Sequence, residues 1–257
     1  MPSRTFAFFL ILICVGFAGC TDDPFSSIVG GEKEPTLETV TFPKGTTAQG
    51  FTNRSQLVNS TKSGLDGTTF TMTDFITNSN AENTWTSAKY LESDREGLVV
   101  YQWEKAGGQT DETYIDSTGV YYKFGTEPPT YRTEPLGWVT PREVHERGIE
   151  RSTQYLEAAL ELGNYTAADV IRRDGTTLIV YNLTDPADTA DDWRITAASG
   201  QIFVDQQGIV HKIDIYIAGR SVGESSTYTR TRLRYSVFLN EPRTVREPAW
   251  VANQTER

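Results

Sequence analysis

Residues 227–239 read TYTRTRLRYSVFL. Tyr228, Arg230, Arg232 and Arg234 alternate with Thr229, Thr231, Leu233 and Tyr235. A period of two is the signature of a β-strand, whose side chains point to opposite faces in turn. One face of this strand is strongly basic and must stay solvated, so the other must be covered. That demand, repeated along the chain, sets the fold class.

Further strand runs are expected over residues 69–77, 84–91, 97–105, 113–115, 120–124, 131–133, 170–173, 177–182, 201–205 and 209–218, rich in Thr, aromatic and β-branched residues. Turn chemistry joins many of them as hairpins: Asp116 to Gly119, Asp174-Gly175, and the QQG at Gln206 to Gly208. Two helices interrupt the strands. The first, over residues 53–65, has Asn53 as its cap and Leu57, Thr61 and Leu65 on one side. The second begins at TPRE, where Thr140 caps, Pro141 suits the first turn and Glu143 completes a capping box. It runs to Gly163, with Gly148 as a point where it can break. The sum is an α+β chain: one antiparallel sheet, long enough to curl into an incomplete β-barrel, with two main helices packed on its concave face.

The N-terminus reads differently. Arg4 precedes an uncharged apolar run from Thr5 to Gly19, and Cys20 is followed at once by Asp22 and Asp23. This is the charge pattern of a secretory signal peptide. The stretch Phe17-Ala18-Gly19-Cys20 resembles a lipobox, with Phe17 in place of the usual leucine. Residues 1–19 are therefore expected to be a signal peptide, with Cys20 lipidated. The alternative is an uncleaved N-terminal anchor, and both put the remainder outside the cell membrane. The chain has two cysteines, Cys14 and Cys20, so cleavage leaves one, which lipidation consumes. Residues 20–41, acidic and containing Gly30-Gly31, Pro24 and Pro35, read as a flexible tether to one domain over 42–257.

The formal net charge is −10, which argues against nucleic-acid binding and against charge-driven adhesion to anionic lipid. Lysine is scarce beside the acids, as in proteins of salt-loving organisms; an ordinary acidic protein reads the same way. Five sequons, at Asn53, Asn59, Asn164, Asn182 and Asn253, are glycosylation candidates in an exported protein, although threonine richness inflates such a count.

The element order from Gly50 onward lies behind a lipobox and includes the strand–turn–strand GQIFVDQQGIVHKIDIYI at 200–217. With the opening FPKGTTAQGFTNRSQLVNSTKSGL at 42–65, it resembles uncharacterised lipoproteins of halophilic archaea. These in turn resemble the LolA/LppX group of lipoprotein carriers and lipid-binding lipoproteins. The resemblance covers roughly residues 40–250. It implies a half-barrel wrapped around helices, with an apolar cavity that takes acyl chains. From the residues themselves the cavity candidates are Phe70, Met72, Trp85, Tyr101 and Trp103, which serve equally well as plain core.

Catalytic signals are poor. Gly219 to Gly223, GRSVG, matches the serine-hydrolase elbow, but a strand pattern follows it instead of a helix, and both histidines, His145 and His211, precede Ser221. Neither histidine has zinc-helix spacing. The acid-rich stretch from Asp185 to Asp192 lacks the EF-hand spacing for Ca²⁺. The expectation is a non-catalytic lipoprotein, without cofactor or metal, that holds a lipid or other apolar ligand. The alternative is an envelope scaffold with a packed core. A protein partner is not legible.

Overall fold

Neighbouring strands in a computed structural model of the chain pair antiparallel throughout, as the hairpin signals require. It describes residues 34–94, 99–104, 110–125, 127–137, 140–190, 193–221, 227–240 and 245–255, with backbone alone for 99–104, 190, 221 and 253–255. The account below concerns the unit from Pro35 onward.

A small hairpin, β1 (Thr46–Thr47) and β2 (Gly50–Phe51), precedes helix α1 (Arg54–Asp66). Then come β3 (Phe70–Ser79), β4 (Thr84–Ser93), β5 (Val99–Glu104), β6 (Thr110–Ile115), β7 (Gly119–Phe124) and β8 (Thr130–Pro135). Helix α2 (Pro141–Glu161) leads to β9 (Gly163–Arg173), β10 (Thr176–Pro186), β11 (Thr189–Ala190), β12 (Trp193–Asp205), β13 (Val210–Ser221) and β14 (Tyr228–Leu239), and α3 (Ala249–Thr255) follows. The sheet order is β8-β7-β6-β5-β4-β3-β14-β13-β12-β10-β9, with β11 on β12. The last strand of the second limb thus pairs with the first strand of the first limb, over ten residue pairs from Arg230–Ser79 to Leu239–Phe70. The sheet curls without closing, which is the expected α+β half-barrel.

The turns form for the reasons their residues give. Asp116 accepts from the amides of Thr118 and Gly119. Asp174 and Gly175 take φ of 50° and 80°, the left-handed pair that a two-residue hairpin needs. Asp205 accepts from the amides of Gln207 and Ile209 around Gly208, whose φ is 88°. Asn53 caps α1 by accepting from the Gln56 amide at 3.0 Å. Thr140 and Glu143 close a complete capping box on α2.

The core lies on the inner face of the sheet. Leu57 and Leu65 of α1 and Ile149, Leu156 and Leu160 of α2 pack there against Phe70, Met72, Ile213, Ile215 and Val237. On β14, Tyr235 and Val237 are buried while Arg230, Arg232 and Arg234 are exposed, as the alternation demands. Arg232 grips Asp214 through two hydrogen bonds, and Arg234 lies over the Phe75 ring at 4.4 Å.

Four expectations need correction. Gly148 does not break α2; a Cβ there would stand 2.5 Å from Leu91 Cδ2, so the glycine lets the unbroken helix press onto the sheet. Residues 35–41 are not free tether: Val40 is buried and Leu37 packs on the core. Strands β9 and β12 begin well before 170 and 201. A third helix, α3, brings Val251 and Trp250 onto Tyr114 and Tyr121, on the sheet face opposite the main core.

Candidate functional site

Helix α2 lies in the trough of the sheet and divides its apolar inner surface. On one side, a half-open cleft of about 290 Å³ has Met72 of β3, Leu91 of β4, Ile115 of β6 and Val120 and Tyr122 of β7 as its floor. Its helical wall is Val144, Arg147, Gly148 and Arg151, the i, i+3, i+4, i+7 stripe of α2. On the other side, a cleft of about 220 Å³ is formed by Ala158, Leu162, Trp193, Ile195 and Ile217, with Glu161 at its edge. Between the clefts the trough is filled: Phe70, Leu156 and Leu160 are at most 2% exposed. Two larger depressions are polar. One of about 410 Å³ lies by Arg173, Asp205 and His211, and another, shallow and of about 700 Å³, lies along the outer side of α1.

Of the cavity candidates, Phe70 and Met72 stand on the inner face. Met72 borders the first cleft, and its sulfur accepts a hydrogen bond from Ser152 Oγ at 3.3 Å. Trp85 is corrected. Its parity with Leu91 puts it on the inner face, but it is 44% exposed and is not part of the buried interior. The ladder sets Tyr101 opposite Leu91 and Thr113, and Trp103 opposite Lys89 and Asp111; both side chains lie outside the described residues.

A buried polar group underlies α2. Asp74 on β3 is 1% exposed, neither of its carboxylate oxygens is hydrogen-bonded, and its nearest cation is Arg151 Nη1 at 3.9 Å. Burial pushes its pKa above the ordinary carboxylate value. Arg151 and Lys89 pull it back in part.

The remaining sequence signals fall apart as chemistry. Ser221 is the last residue of β13, the next described element is strand β14, and residues 222–226 between them lie outside the described residues. His145 is buried on α2, with Nδ1 2.7 Å from Ser93 Oγ and its ring against Phe70, and burial lowers its pKa. His211 pairs with Asp205 at 2.8 Å and so braces the turn that Asp205 holds. Among the described residues no three His, Cys, Asp or Glu side chains gather as a metal site. Asn59 and Asn164 are exposed, and Asn164 donates to Asp185. Asn53 is spent in part on its cap, and the half-buried Asn182 accepts from Gln201. The side chain of Asn253, and all of Cys20, lie outside the described residues. Arg147 and Arg151 were missed by sequence reasoning; their signal was a pair of arginines one turn apart, flanking a glycine on a capped helix.

No family model matches the chain, and no curated protein matches it significantly. Among solved structures it overlaps LprF from Mycobacterium bovis at a TM-score of 0.42 and 11% identity, over 78% of this chain and 99% of that one. A LolA superfamily protein from Nitrosomonas europaea overlaps at 0.27 and 10%, over 77% and 96%. A chain of the MucA/MucB complex of Pseudomonas aeruginosa overlaps at 0.28 and 11%, over 72% of this chain and about half (56%) of that one. Overlap this loose carries no argument, and the half-barrel stands on the strand order above.

Proposed function

We propose that this chain is a membrane-anchored, extracytoplasmic lipoprotein, non-catalytic, that holds a lipid or other apolar ligand in its half-barrel. The observation that carries the reading is the half-open cleft of about 290 Å³ beside α2, floored by five apolar side chains of the curled sheet, of which Tyr122 is half-buried and the other four are buried. Burying such surface on a chain of CH₂ groups is favourable by about 0.8 kcal/mol per group. The lipobox-like Phe17 to Cys20 supports the anchor. A second reading, an envelope scaffold without ligand, is supported by the solid centre of the trough, which leaves two clefts in place of one continuous cavity.

The test is apolar ligand binding to the delipidated protein. Val144 is half-buried on the cleft's helical wall, so Val144→Trp can fill the cleft from the outside. A fluorescent fatty acid should bind wild type, and Val144→Trp should weaken it about tenfold or more with little change in melting temperature. Native mass spectrometry that finds no retained lipid, together with no binding by wild type, supports the scaffold.

A further inference from the structure

We infer that the cleft beside α2 is a site for a single acyl chain ending in an anion, a carboxylate or a phosphate, with Arg147 as its headgroup ligand. The inference rests on the carrier reading and adds the ligand's chemical class. Only two charged side chains line the cleft among the described residues, and both are arginines, in a chain whose net charge is −10. No carboxylate is among the lining residues; the nearest shown is Asp74 on β3, which faces Arg151.

Two acids within one turn of Arg147 have partners of their own, and Glu150, exposed on the next turn, closes no salt bridge with it. Glu143 is held in the capping box at Thr140, and Glu146 pairs with Arg142 at 2.8 Å. Arg151 has Asp74 at 3.9 Å. Arg147 is exposed and closes no salt bridge among the described residues. A planar guanidinium suits a carboxylate or phosphate because its N–H groups meet two oxygens at once. Gly148, between the arginines, brings the helix onto Leu91, so cation and apolar floor adjoin. A volume of about 290 Å³ is at the small end of ligand pockets, which fits one chain and excludes a two-chain lipid from lying wholly within.

Titration calorimetry with palmitate, hexadecanol and palmitoyl lysophosphatidic acid tests this on the delipidated protein. The anions should bind about tenfold tighter than the alcohol, the range of a hydrogen bond to a charged group. Arg147→Gln should remove that advantage and leave hexadecanol unchanged, Arg147→Lys should restore part of it, and added salt should weaken the anions alone. Whichever anion binds tighter identifies its source, and either supports the inference. Equal binding of palmitate and hexadecanol, unmoved by Arg147→Gln, overturns the headgroup site while leaving carriage intact. If wild type binds none of the three, the carrier reading itself fails, and this inference with it.

Discussion

Asp74 shows how one residue can set a pH response. It sits on the inner face between Met72 and Ile76, sealed from water and without a hydrogen bond. Burial disfavours its charged form more than Arg151 and Lys89 favour it, so its pKa is raised. The folded state therefore holds this proton more tightly than the unfolded chain. The stability that Asp74 contributes is full below its unfolded value, about pH 4, and is lost as pH rises through the raised folded value. His145 works the other way: its lowered pKa makes protonation unfavourable in the folded state, so its contribution is lost as pH falls. Asp74→Asn keeps the shape and removes the titration. The melting-temperature difference, variant minus wild type, should grow as pH is raised from about 4 towards neutral, with the His145 background cancelling. A difference that shrinks over that range would mean that attraction to Arg151 outweighs burial.

At the scale of elements, α2 does two jobs: its Ile149, Leu156 and Leu160 fill the trough, and Gly148 sets how closely it lies. Alanine is the better helix former by about 1 kcal/mol. Here its Cβ would meet Leu91 Cδ2 at 2.5 Å and Phe70 Cζ at 3.3 Å. Overpacking of this kind costs about 1–3 kcal/mol, so Gly148→Ala should destabilise despite its propensity. Leu91→Ala alone should cost about 2–5 kcal/mol, and the double variant clearly less than the sum, read from denaturant midpoints. The start of α2 was legible because a capping box is local: Thr140 and Glu143 announce themselves three residues apart. Helix α3 was not, because seven residues with little local signal form where Val251 and Trp250 find Tyr114 and Tyr121. The early parts of β9 and β12 escaped for the same reason: their Gly and Ala residues carry weak strand signals until partner strands pair with them. The site divides likewise. The pairing of β3 with β4 sets Phe70, Met72 and Trp85 on one face, but which of them is covered depends on where α2 lies, and no local pattern encodes that.

For the whole molecule, an unclosed sheet leaves two edges to protect. On β9, the Ala167 amide donates to Ala48 O of the β1–β2 hairpin, and Arg54 donates to Gly163 O, so this edge is partly covered. On the other edge β8 is six residues long, carries Arg132 and Glu134, and ends in Pro135. A carrier of this kind has no charge-based hold on an anionic membrane, given a net charge of −10, and no described helix is long and apolar enough to cross one. On the reading proposed above, attachment falls to the segment before the domain. Cys20, behind an uncharged run and ahead of Asp22 and Asp23, is the cysteine that cleavage after Gly19 would leave to take a thioether-linked lipid. In detergent phase partition of expressing cells, wild type should enter the detergent phase with a mass that matches loss of residues 1–19 and gain of lipid. Cys20→Ser should appear in the aqueous phase or persist as the longer precursor. A Cys20→Ser protein that is shortened and partitions as wild type does would remove the lipid anchor, while leaving both clefts to be tested on their own.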